Sequence, residues 1–353
     1  MAKKASKPTA AGLSTGSTLL NLAITGRLDI GYECGTYNYF VGDSNSGKSF
    51  FCMSSLAEAA NLPAFDDYRL IYDNVEDGIK MDVERYFGRK LVERLEPPAS
   101  DEDGPLYSDS IEEFYFNVDD ALEAGKPFVY VLDSMDALSS EGQQDHFQKL
   151  KKAVRRNADK LPGSYGDGKA KANSQNIRLV AGRLRKTRSI LLVISQTRDN
   201  IDAGLFASKK TRSGGRALSF WAQSEVWSSV REKIKVGFGG KDRQAGTLCE
   251  MKVRRSRLSG HEATVQVPIL LGAGIDDTGS LVDFLVEEGV WKKVGGGYID
   301  TRDLCDEDIK LQRDDLIQRI EEDGLENELK LLVLARWREI EAALTAKRKS
   351  RYQ

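Results

Sequence analysis

The octapeptide Gly42-Asp43-Ser44-Asn45-Ser46-Gly47-Lys48-Ser49 fits the pattern G-x-x-x-x-G-K-[S/T], and it constrains the fold more than any other stretch of the chain. The pattern has meaning only between a buried strand and a helix, and both flanks are present. Gly35 to Val41 is short, aromatic and β-branched, whereas Phe50 to Ala60 has helical character. Small residues in such a turn let consecutive backbone N–H groups point inward as an anion nest, and the helix start adds the positive end of its dipole. The octapeptide therefore reads as a cradle for the phosphates of ATP. Lys48 is expected to reach the β- and γ-phosphates, and the Ser49 hydroxyl to ligate Mg2+.

A cradle of this kind needs a carboxylate at the end of a neighbouring strand to hold the hydrated metal ion. Phe128-Val129-Tyr130-Val131-Leu132-Asp133 has the required form, an apolar run ending in an acid, so Asp133 is the candidate. Hydrolysis also needs a group that orients or deprotonates water. The acids after the apolar stretch Arg69 to Tyr72 stand in the right chain order, and of Asp73 and Glu76 the second is favoured.

Strand and helix signals alternate through Leu270. Strands are expected at Arg69–Tyr72, Phe128–Leu132, Ile190–Ser195, Gly246–Val253 and Ala263–Leu270, and helices at Ser110–Ala124 and Gln175–Lys186. Such alternation argues for an α/β fold, a mostly parallel twisted sheet flanked by helices. We read residues 1–12 as a short basic arm, 13–272 as the core, and 273–353 as a small α+β region. In that last part Ser280–Glu287 is a short helix candidate. Val290–Val294 and Tyr298–Asp300 would form a hairpin across Gly295-Gly296-Gly297, and charged helices would follow near Asp306–Glu322 and Leu325–Ala346.

The net charge of −2 conceals a polarised chain. Residues 61–145 carry 22 Asp/Glu against 7 Lys/Arg, whereas residues 149–260 carry 27 Lys/Arg against 8 Asp/Glu. A basic block of that size is the electrostatic footprint of contact with polyphosphate or nucleic acid. No apolar run approaches the roughly 18 residues that span a bilayer, and the N-terminus lacks the apolar stretch of a secretory signal. Four dispersed cysteines (Cys34, Cys52, Cys249, Cys305) suit reduced thiols in a cytoplasmic protein, and two histidines are too few for a histidine-based metal site.

Taken in order, the motifs resemble those of the RecA family, and most of all its bacteriophage recombinases of the UvsX type. The resemblance runs from about Leu13 to Asp300 and includes Leu13-Ser14-Thr15-Gly16-Ser17, the cradle, and Val131-Leu132-Asp133-Ser134 with Ala137-Leu138. It continues through Ile194-Ser195-Gln196-Thr197-Arg198, Gly214-Gly215-Arg216-Ala217-Leu218 and Met251-Lys252-Val253-Arg254-Arg255-Ser256-Arg257. Gly272-Ala273-Gly274-Ile275-Asp276 and Leu281-Val282-Asp283 close it. Of these only the cradle is specific by itself; the ordered set carries the resemblance.

The resemblance implies a RecA-like P-loop core and a DNA-dependent ATPase. Such a protein coats single-stranded DNA as a helical homo-oligomeric filament, pairs it with duplex DNA and exchanges strands in recombination and repair. Single-stranded-DNA-binding or mediator proteins are the implied protein partners. Gln196 takes the place of a glutamine that senses the γ-phosphate. Leu161 to Asn173, with Lys169 and Lys171, matches a first DNA loop. Thr197 to Arg216 matches a second, carrying Arg198, Lys209, Lys210, Arg212 and Arg216, with Phe206 available to bases. Cations that release counterions from phosphates, beside an aromatic ring, suit an unpaired strand. Arg255 and Arg257 match lysines that reach the ATP of a neighbouring subunit.

Three features depart from the family. Asp73-Asn74-Val75-Glu76 is one residue longer than the usual D-x-E, which keeps both acids open. The stretch before Leu13 is shorter than the helix and strand with which bacterial relatives grip a neighbour, and the tail Lys347-Arg348-Lys349 is basic rather than acidic. Two other readings share the core: an accessory or annealing paralogue without strand exchange, and a ring-forming motor.

Overall fold

Phe128 to Asp133 buries all six of its residues, so this strand has no solvent face and must lie inside a sheet covered on both sides. The computed structural model describes residues 10–77, 81–155, 168–199, 210–212, 215–301, 304, 309–346 and 348. Its strands are β1 (Tyr37–Gly42), β2 (Arg69–Asn74), β3 (Leu95–Glu96), β4 (Phe128–Asp133), β5 (Ile190–Asp199) and β6 (Lys210–Arg212). There follow β7 (Ser224–Phe238), β8 (Lys241–Ser256), β9 (Ala263–Leu270) and β10 (Gly274–Ile275). They form one sheet in the order β10-β9-β8-β7-β1-β5-β4-β2-β3, with β6 folded back on β5. From β7 to β3 neighbouring strands are parallel; from β7 to β10 they are antiparallel. The expected α/β core with a mostly parallel sheet is present.

Alternate residues of a strand point to opposite faces, and the core divides accordingly. Phe40, Tyr72, Val131, Leu192 and Ile194 join one cluster, with helices α1 (Thr18–Thr25) and α2 (Lys48–Asn61). Tyr39, Val41, Tyr130, Leu132 and Val193 join the other, beneath α3 (Ile111–Glu123) and α5 (Gly168–Thr187). Between those two helices in the chain runs the charged α4 (Glu141–Arg155), which its small number of apolar residues left unexpected.

Four expectations need correction, the first being the helix expected from Asp306, which begins only at Arg313 because Ile309–Leu311 pair as a strand. Residues 168–173, placed in the first DNA loop, are the opening turns of α5, so Lys169 and Lys171 stand on a helix; residues 161–167 lie outside the described residues. The second loop is not irregular throughout, because β5 runs on to Asp199, β6 pairs with it, and Arg216 opens the helix α6 (Arg216–Trp221). The strand β7 was missed altogether. Its alternation Val230, Ile234, Val236, Phe238 continues across Gly239-Gly240 into β8 as one long hairpin, and both glycines have positive φ (64° and 72°), as a two-residue I′-type turn requires.

After residue 272 the chain forms α7 (Asp277–Glu287), a three-stranded sheet of β11 (Lys292–Val294), β12 (Tyr298–Thr301) and β13 (Ile309–Leu311), then α8 (Arg313–Glu322) and α9 (Glu326–Leu344). The expected hairpin is present with Val294 opposite Tyr298. Leu281, Leu285, Trp291, Ile320 and Val333 share the cluster of Leu20 and Phe51. Asp277 accepts hydrogen bonds from both the amide and the hydroxyl of Thr18 at 2.7 Å. Among the described residues Cys34, Cys52 and Cys249 are free thiols, and no helix is long and apolar enough to cross a membrane.

A core shared in this way should unfold as one unit. Leu20→Ala and Leu285→Ala, both at fully buried sites, should each cost about 2–5 kcal/mol and shift a single denaturant transition. Two resolved transitions, only one of them moved by each variant, would refute this.

Candidate nucleotide site and nucleic-acid interface

The register of the parallel strands brings the chemistry to one edge. Gly42 at the end of β1 lies opposite Gln196 on β5, and Asp133 at the end of β4 lies opposite Asn74 on β2. Ligands of open α/β sheets bind outside these carboxyl ends. The cradle is tight where it leaves β1, since a Cβ on Gly42 would lie 2.4 Å from the Ser228 carbonyl oxygen. Gly47 (φ 84°) precedes α2 and no side chain caps that helix, so its first N–H groups remain for an anion. Lys48 is 7% exposed and donates from Nζ to the Asp43 carbonyl at 2.6 Å. Burial pulls its ammonium below the usual lysine range against the opposing pull of Asp133 and Glu76.

Asp133 is buried beside Ser49, whose hydroxyl hydrogen-bonds it, and it accepts a 2.5 Å bond from Tyr72 Oη. Burial raises its carboxyl above the ordinary range, opposed by those two donors. The two groups assigned to Mg2+ are therefore adjacent, and an aspartate with a hydroxyl is a fitting oxygen donor set for that ion.

The structure separates the two acids left open by sequence. Asp73 is fully buried and accepts from Ser108 N (3.0 Å), Ser108 Oγ (2.6 Å) and Tyr130 Oη (2.7 Å), so its oxygens are engaged within the fold. Glu76 is exposed at the strand ends, where its Oε1 accepts from Gln196 Nε2 at 3.0 Å and from the Ser134 hydroxyl. Of the two, only Glu76 faces the cradle edge.

Sequence reasoning missed Tyr72, Ser134, Thr197 and Asp136. The Asp136 carboxylate accepts from Ser195 Oγ (2.6 Å) and Gln196 N (2.7 Å) and pairs with Arg198 at 3.6 Å, while its carbonyl accepts from Lys169 Nζ at 3.1 Å. Only its place three residues after Asp133 hinted at this. Asp43, called as a cradle residue, carries more than backbone: Thr197 Oγ1 and Lys210 Nζ both donate to its carboxylate. Burial would raise that carboxyl, but the two donors outweigh it and hold it below its usual range.

Of the basic residues assigned to DNA, Lys169, Arg198 and Lys210 gather at the cradle end of the sheet. Lys171 and Arg216 are exposed on α5 and α6, and Arg212 turns inward to Glu225. Phe206 and Lys209 lie outside the described residues. Arg255 and Arg257 stand elsewhere. Arg255 pairs with Glu225, which lies opposite Tyr39, three residues before Gly42 and so about 10 Å down the sheet. Arg255 Nη1 donates to the Ser219 carbonyl (3.1 Å), and Arg257 caps the Phe220 and Ala222 carbonyls at the end of α6. Neither arginine lies at the cradle of its own chain. On the other flank, the cradle opens into a cavity of about 490 Å³ against Val230, Lys233, Gln244 and Thr247 of the long hairpin.

A sequence model of the RecA N-terminal domain matches residues 157–276, the stretch from the end of α4 past the hairpin to β10. Protein RecA of Lactococcus lactis subsp. cremoris is 26% identical over 294 residues, 81% of this chain and 66% of its own length. Protein RecA of Lactiplantibacillus pentosus is 27% identical over 300 residues (83% and 69%), and that of Chlorobium limicola 28% over 295 residues (81% and 72%). The chain is thus similar to proteins of the RecA family over most of its length. The match spans about two thirds of the length of the Lactococcus relative, and the family model takes in both arginines.

Gly47 is the sharpest test of the cradle. A Cβ there would lie 2.7 Å from Ile269 Cδ1 on a backbone at φ 84°. Gly47→Ala should weaken binding of ATP by about tenfold in calorimetry with the fold intact; unchanged affinity would show that the cradle tolerates the altered backbone.

Proposed function

We propose that the protein is a DNA-dependent ATPase that polymerises on single-stranded DNA and catalyses homologous pairing and strand exchange. The observation that carries this reading is the double use of β5. Gln196 touches the exposed acid Glu76, and the next residue, Thr197, is tied to Asp43 of the cradle. One strand thereby joins the phosphate site to the basic ribbon of Arg198 and Lys210.

In this reading Lys48 and the free N–H groups of α2 hold the triphosphate. Ser49 and Asp133 hold Mg2+, which supplies charge neutralisation on the phosphate oxygens. Glu76 is the group that orients or deprotonates water, and Gln196 shares a hydrogen bond with it, so a change at the γ-phosphate position reaches β5 directly. The nucleoside is directed into the hairpin-lined cavity, because the other side of the cradle is taken by Glu76 and Gln196. Arg255 and Arg257, remote from their own cradle, serve the nucleotide of an adjacent subunit. A contact between two different surfaces of successive subunits generates open helical filaments when the rotation does not close. The resemblance to UvsX-type proteins supports a bacteriophage member of the family acting in a host cytoplasm.

ATPase activity should rise on adding single-stranded DNA, and DNA binding should weaken as salt increases. Turnover indifferent to DNA would remove the reading. Lys48→Ala should abolish nucleotide-driven DNA binding. Glu76→Gln should lower turnover by about 10²-fold or more with ATP still bound, whereas Asp73→Asn should lower the melting temperature and spare turnover per folded molecule. Arg255→Ala should keep ATP affinity and lose DNA-stimulated turnover; normal turnover would reject its role toward a neighbour. A D-loop assay without joint molecules would favour the accessory paralogue, and closed rings in electron micrographs the motor.

A further inference from the structure

Near the start of β7 sits a glutamate that no motif singles out. Glu225 is 3% exposed, and a carboxylate so buried has to be matched by donors. Three are present. Its Oε1 accepts from Arg212 Nη1 at 3.1 Å and from Trp227 Nε1 at 2.7 Å, and its Oε2 accepts from the Ser219 hydroxyl. The Trp227 indole is held in turn by the Arg254 guanidinium, 3.5 Å from the ring centroid.

These donors come from separate parts of the molecule. Arg212 ends β6 opposite Thr197, on the ribbon whose other contacts, from Thr197 and Lys210, run to Asp43 of the cradle. Ser219 lies on α6, and its carbonyl receives Arg255 Nη1 at 3.1 Å. A continuous set of hydrogen bonds therefore leads from the cradle through the ribbon and Glu225 to the arginine at the far end of the sheet. Moving the ribbon would pull Arg212 from Glu225 and leave the buried carboxylate without its cationic partner, so the ribbon and α6 are constrained to move together.

Resting on the proposed DNA-dependent ATPase, we propose that Glu225 is the positioning residue that conveys the state of the basic ribbon to Arg255. Turnover at a neighbouring subunit's nucleotide then depends on DNA held by this one. Glu225 touches neither nucleotide nor DNA; it acts through Ser219 and the carbonyl that aims Arg255. Continuity of contacts is not coupling in itself, so the test has to measure coupling.

The experiment measures ATP turnover of the full chain, with and without single-stranded DNA, for the parent, Glu225→Gln and Ser219→Ala. Glu225→Gln keeps the shape but removes the charge and turns one acceptor into a donor toward Ser219. Its KM for ATP and DNA-free turnover should stay within about twofold of the parent, and its DNA-stimulated kcat should fall about tenfold. Ser219→Ala, which leaves the carboxylate and Arg212 in place, should show a loss in the same direction of about threefold. Equal stimulation of the parent and Glu225→Gln overturns the proposal. So does a proportional loss of DNA-free turnover, the mark of a merely structural role. Should Glu225→Gln fail to fold, Ser219→Ala decides, and undiminished stimulation there overturns it. A parent that DNA does not stimulate sinks the ATPase reading itself, and this inference with it.

Discussion

The parallel register of β1, β5, β4 and β2 is the constraint on which the site depends. Gly42 is held opposite Gln196, and Asp133 opposite Asn74. A slip of one residue would exchange the two faces of a strand. Here both faces are dry, but their partners differ: Val131 meets the cluster under α2, whereas Tyr130 and Leu132 meet the cluster under α3 and α5. The side chains of those clusters thus keep the cradle, the buried carboxylate of Asp133 and the exposed acid Glu76 at one edge. Packing sets the site before any ligand arrives.

Charges at that edge are balanced locally. Burial works against the ionised forms of Lys48 and Asp133 alike, and each favours the charge of the other. Lys48 rests on a backbone carbonyl within its own loop, a position an incoming phosphate oxygen can replace. Asp43 adds a link that the cradle pattern does not require, because its carboxylate is held by two residues of the basic ribbon. In the proposed scheme an anion entering the cradle comes close to that carboxylate and bears on its hold over the ribbon.

The sheet also has a second functional end in the proposed scheme. The cradle lies at the carboxyl ends of the parallel strands, and Arg255 and Arg257 lie down the sheet, capping the carbonyls that end α6. A subunit with donor and acceptor surfaces on different sides is polar, and polar subunits stack head to tail. The buried Glu225 stands between the ribbon and that arginine, where three donors converge on one carboxylate.

Local chemistry was legible in the sequence wherever a short stretch carried its own signature. The G-x-x-x-x-G-K-S spacing, the apolar run ending in Asp133 and the glycine-rich hairpin before Tyr298 each carry their pattern within a few residues, and each was read correctly as an element. Elements without a strong local pattern were not. Residues 141–155 are helical although few of them are apolar, and Lys169 and Lys171 proved helical although their neighbourhood is rich in Gly and Lys. The choice between Asp73 and Glu76 lay beyond the sequence, since both follow the same strand and only Ser108 and Tyr130, 35 and 57 residues away, show which one is engaged in the core. The same holds for Asp43 with Lys210 and for Glu225 with Arg212 and Ser219. By itself the sequence determined the cradle motif, the alternation of strands and helices, and the likeness to the RecA family. The tertiary structure alone decided which carboxylates face one another's donors, because hydrogen bonds between distant residues depend on strand order and register, and these emerge only when the whole sheet is packed.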